Sequence, residues 1–468
     1  MDKPNRIEDI LPLTPMQKSM LFDFVGHEDR SYYVTKIVLE LKGTLQHTKF
    51  LQAWEEVIRR NEILRAVFRW EKLTEPVQII YRSRPAPLYI RDLSGLRDVE
   101  QSKERKAHNQ LGQLDKLDIR KEPFRIHVDL MGGNTAYMTL ISHHILYDGW
   151  SNGLILKEFF DIYSALCAGT PAPAAPKGRY RQYIEWLNQQ NIIQQKEYCR
   201  KYMSRFSGWM PNAADREQKN LQYGTHVSNI PEAVMEKAFL FCARNHFTLS
   251  VLLYSLWGIL LHKLYFADTV SFGITMSGRP AEIPMVGTIV GLFINTLPLL
   301  TDVSPDARMI DIITTVNSDL KEKRTYETTP LHMFQRAGAA GTDKGLFDSI
   351  VVIENYPLDI QKSVAGGELQ ITNYCVFEKA RFDLVLSFYL HDSSLRLQYN
   401  TALYPAETAQ TILSEFIRLF EYALETPFGS VFSAIHTCKY DNGETFKDIE
   451  EFDFPEKEEE RTGRFEIF

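Results

Sequence analysis

Between residues 36 and 42 the apolar positions Ile37, Leu39 and Leu41 alternate with polar ones, the period of a half-buried strand. The period then changes. Leu51, Trp54 and Ile58 recur at helical spacing, which predicts a helix over 49–60 with Thr48 as its N-cap. Residues 124–130 alternate again, Gly132-Gly133-Asn134 supplies a turn, and 136–142 reads as the returning strand of a hairpin that delivers the chain to His143. Beyond Ser151, the residues Leu154, Phe159, Ile162 and Leu166 fit a helix, so His143 and His144 stand where a strand passes through a loop into a helix. The stretch 168–178 is rich in proline, alanine and glycine and cannot continue that helix, which places a lobe boundary there. Downstream, 248–265 is a strongly apolar helical stretch, 269–275 reads as a buried strand, and strands and helices mix up to about residue 435.

A chain of 468 residues exceeds what one hydrophobic core usually serves, which predicts two lobes, 1–177 and 178–440. Hydrophobic residues at 44% and charged residues at 24% are ordinary for a globular protein, and no apolar run approaches a membrane span. The first ten residues are polar and carry acids where a signal peptide needs an apolar stretch, so a cytoplasmic protein without a membrane partner is expected. Cys167, Cys199, Cys242, Cys375 and Cys438 are odd in number and scattered, without a CxxC pair, which argues against a disulfide framework or a zinc site. The formal charge of −7 disfavours nucleic acid as a partner. It resides wholly in 441–468, where eleven acids face four bases, and this stretch reads as a solvated, flexible acidic tail.

The segment His143-His144-Ile145-Leu146-Tyr147-Asp148-Gly149 carries the candidate chemistry. Neighbouring side chains on a strand point to opposite faces, so one histidine is free to be structural while the other meets a ligand. A neutral imidazole accepts a proton from an attacking amine or holds that amine in line. Asp148 either takes part itself or buttresses the loop through an arginine, and Gly149 admits close backbone approach and an N–H for a developing oxyanion. The same residues also read as two core or loop histidines with a capping aspartate. Two adjacent histidines on opposite faces do not readily share one metal ion, so no metal is expected.

At these residues the chain resembles the condensation domains of non-ribosomal peptide synthetases, members of the chloramphenicol-acetyltransferase-like superfamily. In that family HHxxxDG followed by Trp and Ser is the active-site signature, matched here by His143, His144, Asp148, Gly149, Trp150 and Ser151. Further blocks occur in order: Leu13-Thr14-Pro15-Met16-Gln17 through Phe22, Arg60 through Phe68, Tyr180 through Trp186, Ser277 through Glu282, Val290 through Pro298, Tyr326 through Leu331, and Phe347 through Pro357. The second block carries Asn61 where the family usually has His, and the fourth carries Gln182 in place of a customary acid.

The resemblance implies an α/β fold of two acetyltransferase-like lobes forming a V-shaped pseudo-dimer with a tunnel between them. It implies amide-bond formation, with donor and acceptor held as thioesters on the phosphopantetheine arms of carrier proteins and meeting at His144. Gly149 is the second catalytic candidate. Asp148 is expected to form a structural salt bridge with Arg65, His143 to be structural, and Trp150, Ser151, Ser277, Arg279 and Asn295 to line the substrate tunnel. No cofactor bound by the chain itself is implied. The implied partners are a donor carrier domain, an acceptor carrier or free amine, and other synthetase domains. An epimerisation domain, a free-standing coenzyme A-dependent acyltransferase and a non-catalytic recruiting domain are the rival readings. A terminal domain releasing product onto a small free amine is a further expectation.

Overall fold

A computed structural model of the protein describes residues 7–26, 32–110, 116–174, 176–206, 222–304, 306–338, 345–354, 369–378 and 382–436, with side chains described only to 105 in the second segment. The acidic tail 441–468, Cys438 and residues 355–357 of the last sequence block lie outside them.

The first lobe is built on a five-stranded sheet in the order Leu369–Glu378, Val34–Gly43, Thr135–His143, Phe124–Leu130 and Leu88–Asp92. The hairpin 124–143 pairs in antiparallel register, with Leu130 opposite Ala136 and Phe124 opposite Ser142. Gly133 and Asn134 both take positive φ at its turn, the twist that favours tight hairpins. The helix His47–Arg60 packs against the helix Gly149–Ala168 through Trp54, stacked on Phe159 at 4.4 Å. Its cap is Gln46 and not Thr48, because the helix begins one residue before Thr48. A small sheet of Ile7–Pro12, Val77–Tyr81 and Ala66–Arg69 completes this lobe.

The second lobe carries a six-stranded sheet in the order Asn295–Asp302, Thr269–Met276, Ser349–Glu354, Leu384–Tyr389, Ser394–Asn400 and Tyr223–Asn229. Thr248 caps the helix Leu249–Tyr265, which is buried in this lobe's core. Among the described residues no single helix is long and apolar enough to cross a membrane.

The chain does not respect a division at 177/178. Leu369–Glu378 lies beyond that boundary in sequence but pairs antiparallel with Val34–Gly43, and Leu369 and Val376 join the first core. Ile283, Ile289, Val290, Leu292 and Phe293 are in that core as well. A sheet edge left at Val34–Gly43 would present unpaired backbone groups, and the crossing strand covers it. Two separate segments from beyond the boundary thus tie the second half of the chain to the first lobe.

Candidate active site

The strand Thr135–His143 ends at His143, and the next residue already belongs to the loop, its N–H donating to Tyr33 O at 2.7 Å. The two imidazoles accordingly part. His143 is wholly buried beneath Phe24, ring centroids 5.6 Å apart, and its Nδ1 accepts from the Ile145 N–H at 3.1 Å. That hydrogen bond requires an unprotonated Nδ1. Burial, helped by the neighbouring His144, pulls the His143 pKa down to about 3. His144 points instead into a cavity of about 1240 Å³ lined by both lobes.

The loop that carries His144 is held from three directions. Gln17, in the first sequence block, donates its side-chain amide to Ile145 O at 2.9 Å. Asp148 is the N-cap of Gly149–Ala168 and accepts from the Ser151 N–H at 3.0 Å and the Ser151 hydroxyl at 2.8 Å. From the second half of the chain, Arg279 Nη2 donates to Asp148 at 3.0 and 3.2 Å, and the Phe293 N–H donates to it at 3.1 Å. A fully buried carboxylate needs such satisfaction, since an unpaired charge in the interior is severely penalised.

Arg65 does not take part, which corrects its expected pairing with Asp148. It closes the helix His47–Arg60, donating to Ile58 O and Arg59 O at 2.7 and 2.6 Å, and reaches Tyr81 O and Glu8. Its position just past a helix C-terminus, where carbonyls lack partners, uses up its donors locally. Arg279 takes the role through Gly278, whose φ of +60° turns the chain toward the loop. A Cβ there would meet Phe293 O at 1.9 Å, so only glycine fits. Arg279 also donates to Val286 O and Ile289 O and lies 4.0 Å over the Phe293 ring. Tyr180, from the fourth block, donates to Leu292 O at 2.6 Å and seats the same segment. Gln182, in the first turn of the helix Tyr180–Asn188, accepts from the Arg179 N–H at 2.7 Å and satisfies the backbone just before that helix. Asn61 joins a partly buried network with Glu158 and Lys177.

Of the residues expected along a tunnel, Trp150, Ser277, Arg279 and Asn295 line the cavity with His144, Asp148 and Gly149. Ser151 does not. It is fully buried, its hydroxyl tied to Asp148 and Gly291, because the first helical turn rotates it behind the loop. Asn295 spends its amide on Glu327 O and Thr329 O, at 2.9 and 2.7 Å, and so shapes the wall. As the first helical residue, Gly149 has an N–H without an intrahelical acceptor at the positive end of a 20-residue helix.

Glu378 is the residue that sequence reasoning missed. It ends the crossing strand, and its Oε1 lies 2.8 Å from His144 Nε2. The other ring nitrogen is 3.2 Å from Tyr147 O. Burial pulls the His144 pKa down, but the Glu378 carboxylate outweighs it, with Asp148 and Glu354 adding to the effect, and the net value is about 9. Glu378 itself is desolvated, yet the imidazolium holds its pKa below the usual glutamate range. No sequence motif marks it. A lone acid in that stretch of mixed strands and helices carries no local signal.

A family profile described as Condensation domain matches residues 7–434, and the chain belongs to that family. It is a condensation domain of the acyltransferase class that forms amide bonds in non-ribosomal peptide synthesis. Surfactin synthase subunit 2 of Bacillus subtilis (strain 168) is 30% identical over 437 residues, covering 90% of this chain and 12% of that protein. A linear gramicidin synthase of Brevibacillus parabrevis is 33% identical over 382 residues, covering 80% of this chain and 7% of that protein. The chain thus spans a small part of these relatives. The fold is shared with the first condensation domain of the CDA synthetase, at 19% identity and a TM-score of 0.70 over 91% of this chain and 98% of that one. The condensation domain from the Monacolin K polyketide synthase MokA shares it too, at 16% identity and a TM-score of 0.75 over 91% of this chain and all of that one. The α/β architecture is therefore that of the acetyltransferase-like condensation domains.

Proposed function

We propose that this chain joins an acyl thioester to an amine at His144, both substrates delivered on the phosphopantetheine arms of carrier domains. The observation that carries this reading is the placement of His144, the loop histidine turned into a cavity shared by both lobes and lined also by Gly149. The amine nitrogen bonds to the thioester carbon, the carbon–sulfur bond breaks, and one amine proton ends on the departing thiol. The Gly149 N–H, at the helix N-terminus, faces the charge that develops on the carbonyl oxygen. His144 takes the proton in transit.

The Glu378 contact defines how His144 becomes competent. Held at a pKa of about 9, the imidazole is protonated at neutral pH before substrate arrives and cannot accept a proton. An incoming ammonium group replaces that charge beside Glu378, His144 releases its proton to water, and the ammonium then gives up its extra proton to water to become the free amine. The neutral imidazole then faces the amine. Asp148, Arg279 and His143 position the loop without touching the reacting atoms.

The test pairs a donor-loaded carrier with an amine-loaded carrier. In His144→Ala, amide formation is lost while carrier binding is retained. Turnover at the wild-type rate in that variant overturns the assignment.

A further inference from the structure

The face of the six-stranded sheet toward the cavity presents Thr225, Val227, Ser387, Arg396 and Gln398. Arg396 lies within the strand Ser394–Asn400, in register with Ser387 on one side and Val227 on the other. Its guanidinium is stacked 4.4 Å over the Tyr389 ring, and its Nε is buried without a hydrogen-bond partner. Among the described residues no carboxylate or carbonyl accepts from any of its nitrogens. The other lysine and arginine side chains lining the cavity, Lys18, Lys36 and Arg279, are engaged within the fold. Lys18 is paired with Glu75 at 2.7 Å, and Arg279 is committed to Asp148 and two carbonyls.

A guanidinium left without acceptors in a partly buried position is costly to the free protein. Its planar fork, held in place by the ring beneath it, is already organised to bind a carboxylate through two parallel hydrogen bonds. One guanidinium without a hydrogen-bond acceptor matches one carboxylate. A phosphate dianion would call for a second free cation, and Lys18 and Arg279 are already neutralised.

We propose that Arg396 is a recognition site for a free carboxylate on the substrate, so that the domain handles an acyl or aminoacyl group with an acidic side chain. This rests on the reading of the cavity as the site of amide formation. Ser387, opposite Arg396 in the register, offers a hydroxyl to the same group.

Matched aspartyl and asparaginyl thioesters of N-acetylcysteamine test it, since they differ in charge and scarcely in shape. One arm supplies the pair as N-acetylated donors with an alanyl acceptor, and the other supplies it as acceptors with an acetyl-alanyl donor. The wild type is expected to prefer the aspartyl compound by about tenfold or more in kcat/KM in one of the arms, which also tells donor from acceptor. Arg396→Gln should remove that preference while leaving the asparaginyl rate within about twofold of wild type, and Arg396→Lys should restore part of it. No preference in either arm, or equal losses on both compounds, overturns the proposal. Binding of a non-hydrolysable acetyl-aspartyl pantetheine amide by calorimetry, in a His144→Ala background, separates the two claims. Tighter binding than the asparaginyl amide, lost in Arg396→Gln, supports the carboxylate site even where no amide forms. Equal binding of the two amides sinks it even where amide formation proceeds.

Discussion

Replacing Glu378 with glutamine removes one charge beside His144 and keeps the side chain's shape. At 2.8 Å, two unit charges in a medium of effective dielectric near 20 attract by about 6 kcal/mol. Burial of the imidazolium takes back a share. What remains raises the pKa from 6.5 to about 9, worth about 3 kcal/mol. The Glu378 side chain is 36% exposed, so solvent screens the pair and the smaller figure is the one to use. Without the carboxylate, burial dominates, as it does at His143, and the midpoint of His144 should fall by about two units or more, to below neutrality. Titrating ring-labelled histidine by NMR in wild type and Glu378→Gln measures this directly. The pH–rate profile of amide formation should move to lower pH in the variant, because neutral His144 is then present earlier. A His144 midpoint within about half a unit of the wild-type value in the variant refutes the ion-pair argument. The sign for stability follows. A histidine whose folded pKa exceeds its unfolded value contributes fully below about 6.5 and loses that contribution as pH rises through about 9. Glu378, with its pKa lowered, contributes above about 4.5 and loses that as pH falls, so the pair, counted once, supports the fold chiefly between those limits.

Arg279→Met leaves the buried Asp148 carboxylate without its cation and should cost about 3–5 kcal/mol in chemical denaturation, with amide formation largely lost. Arg65→Met should leave turnover of the folded protein near wild type, since its contacts are helix-end carbonyls and Glu8; a loss of turnover equal to that of Arg279→Met would reverse the assignment. Gly278→Ala places a Cβ against Phe293 O at a positive φ, and a stability loss of more than about 1–3 kcal/mol with a matching fall in kcat is expected. A neutral result would mean that the turn is not required. His143 is buried neutral with a pKa of about 3, so the unfolded chain binds its proton first and stability falls as pH drops from 6.5 toward 3. His143→Asn keeps an acceptor for the Ile145 N–H and should flatten that acid limb of the urea midpoint; an unchanged limb would count against it.

Local rules alone settled a good deal of this protein. Alternation along 136–142 already implied that His143 and His144 face apart, and the switch from strand to helical period placed them where the strand passes through a loop into a helix. These features depend on neighbours within a few residues, which a sequence displays. The family blocks further marked Gln17, Tyr180 and Gly278, although their physical work, holding the loop and its supporting segment, became visible only in their contacts. Two partners were decided by tertiary structure alone. Asp148 is neutralised by Arg279, 131 residues away, and not by Arg65, because a guanidinium beside helix-end carbonyls is consumed there while one turned by Gly278 reaches the buried acid. His144 meets Glu378 because a strand from the second half of the chain completes the first lobe's sheet and ends at that site. Charge pairing across such distances depends on which sheet edge needs covering, and no local period records that choice.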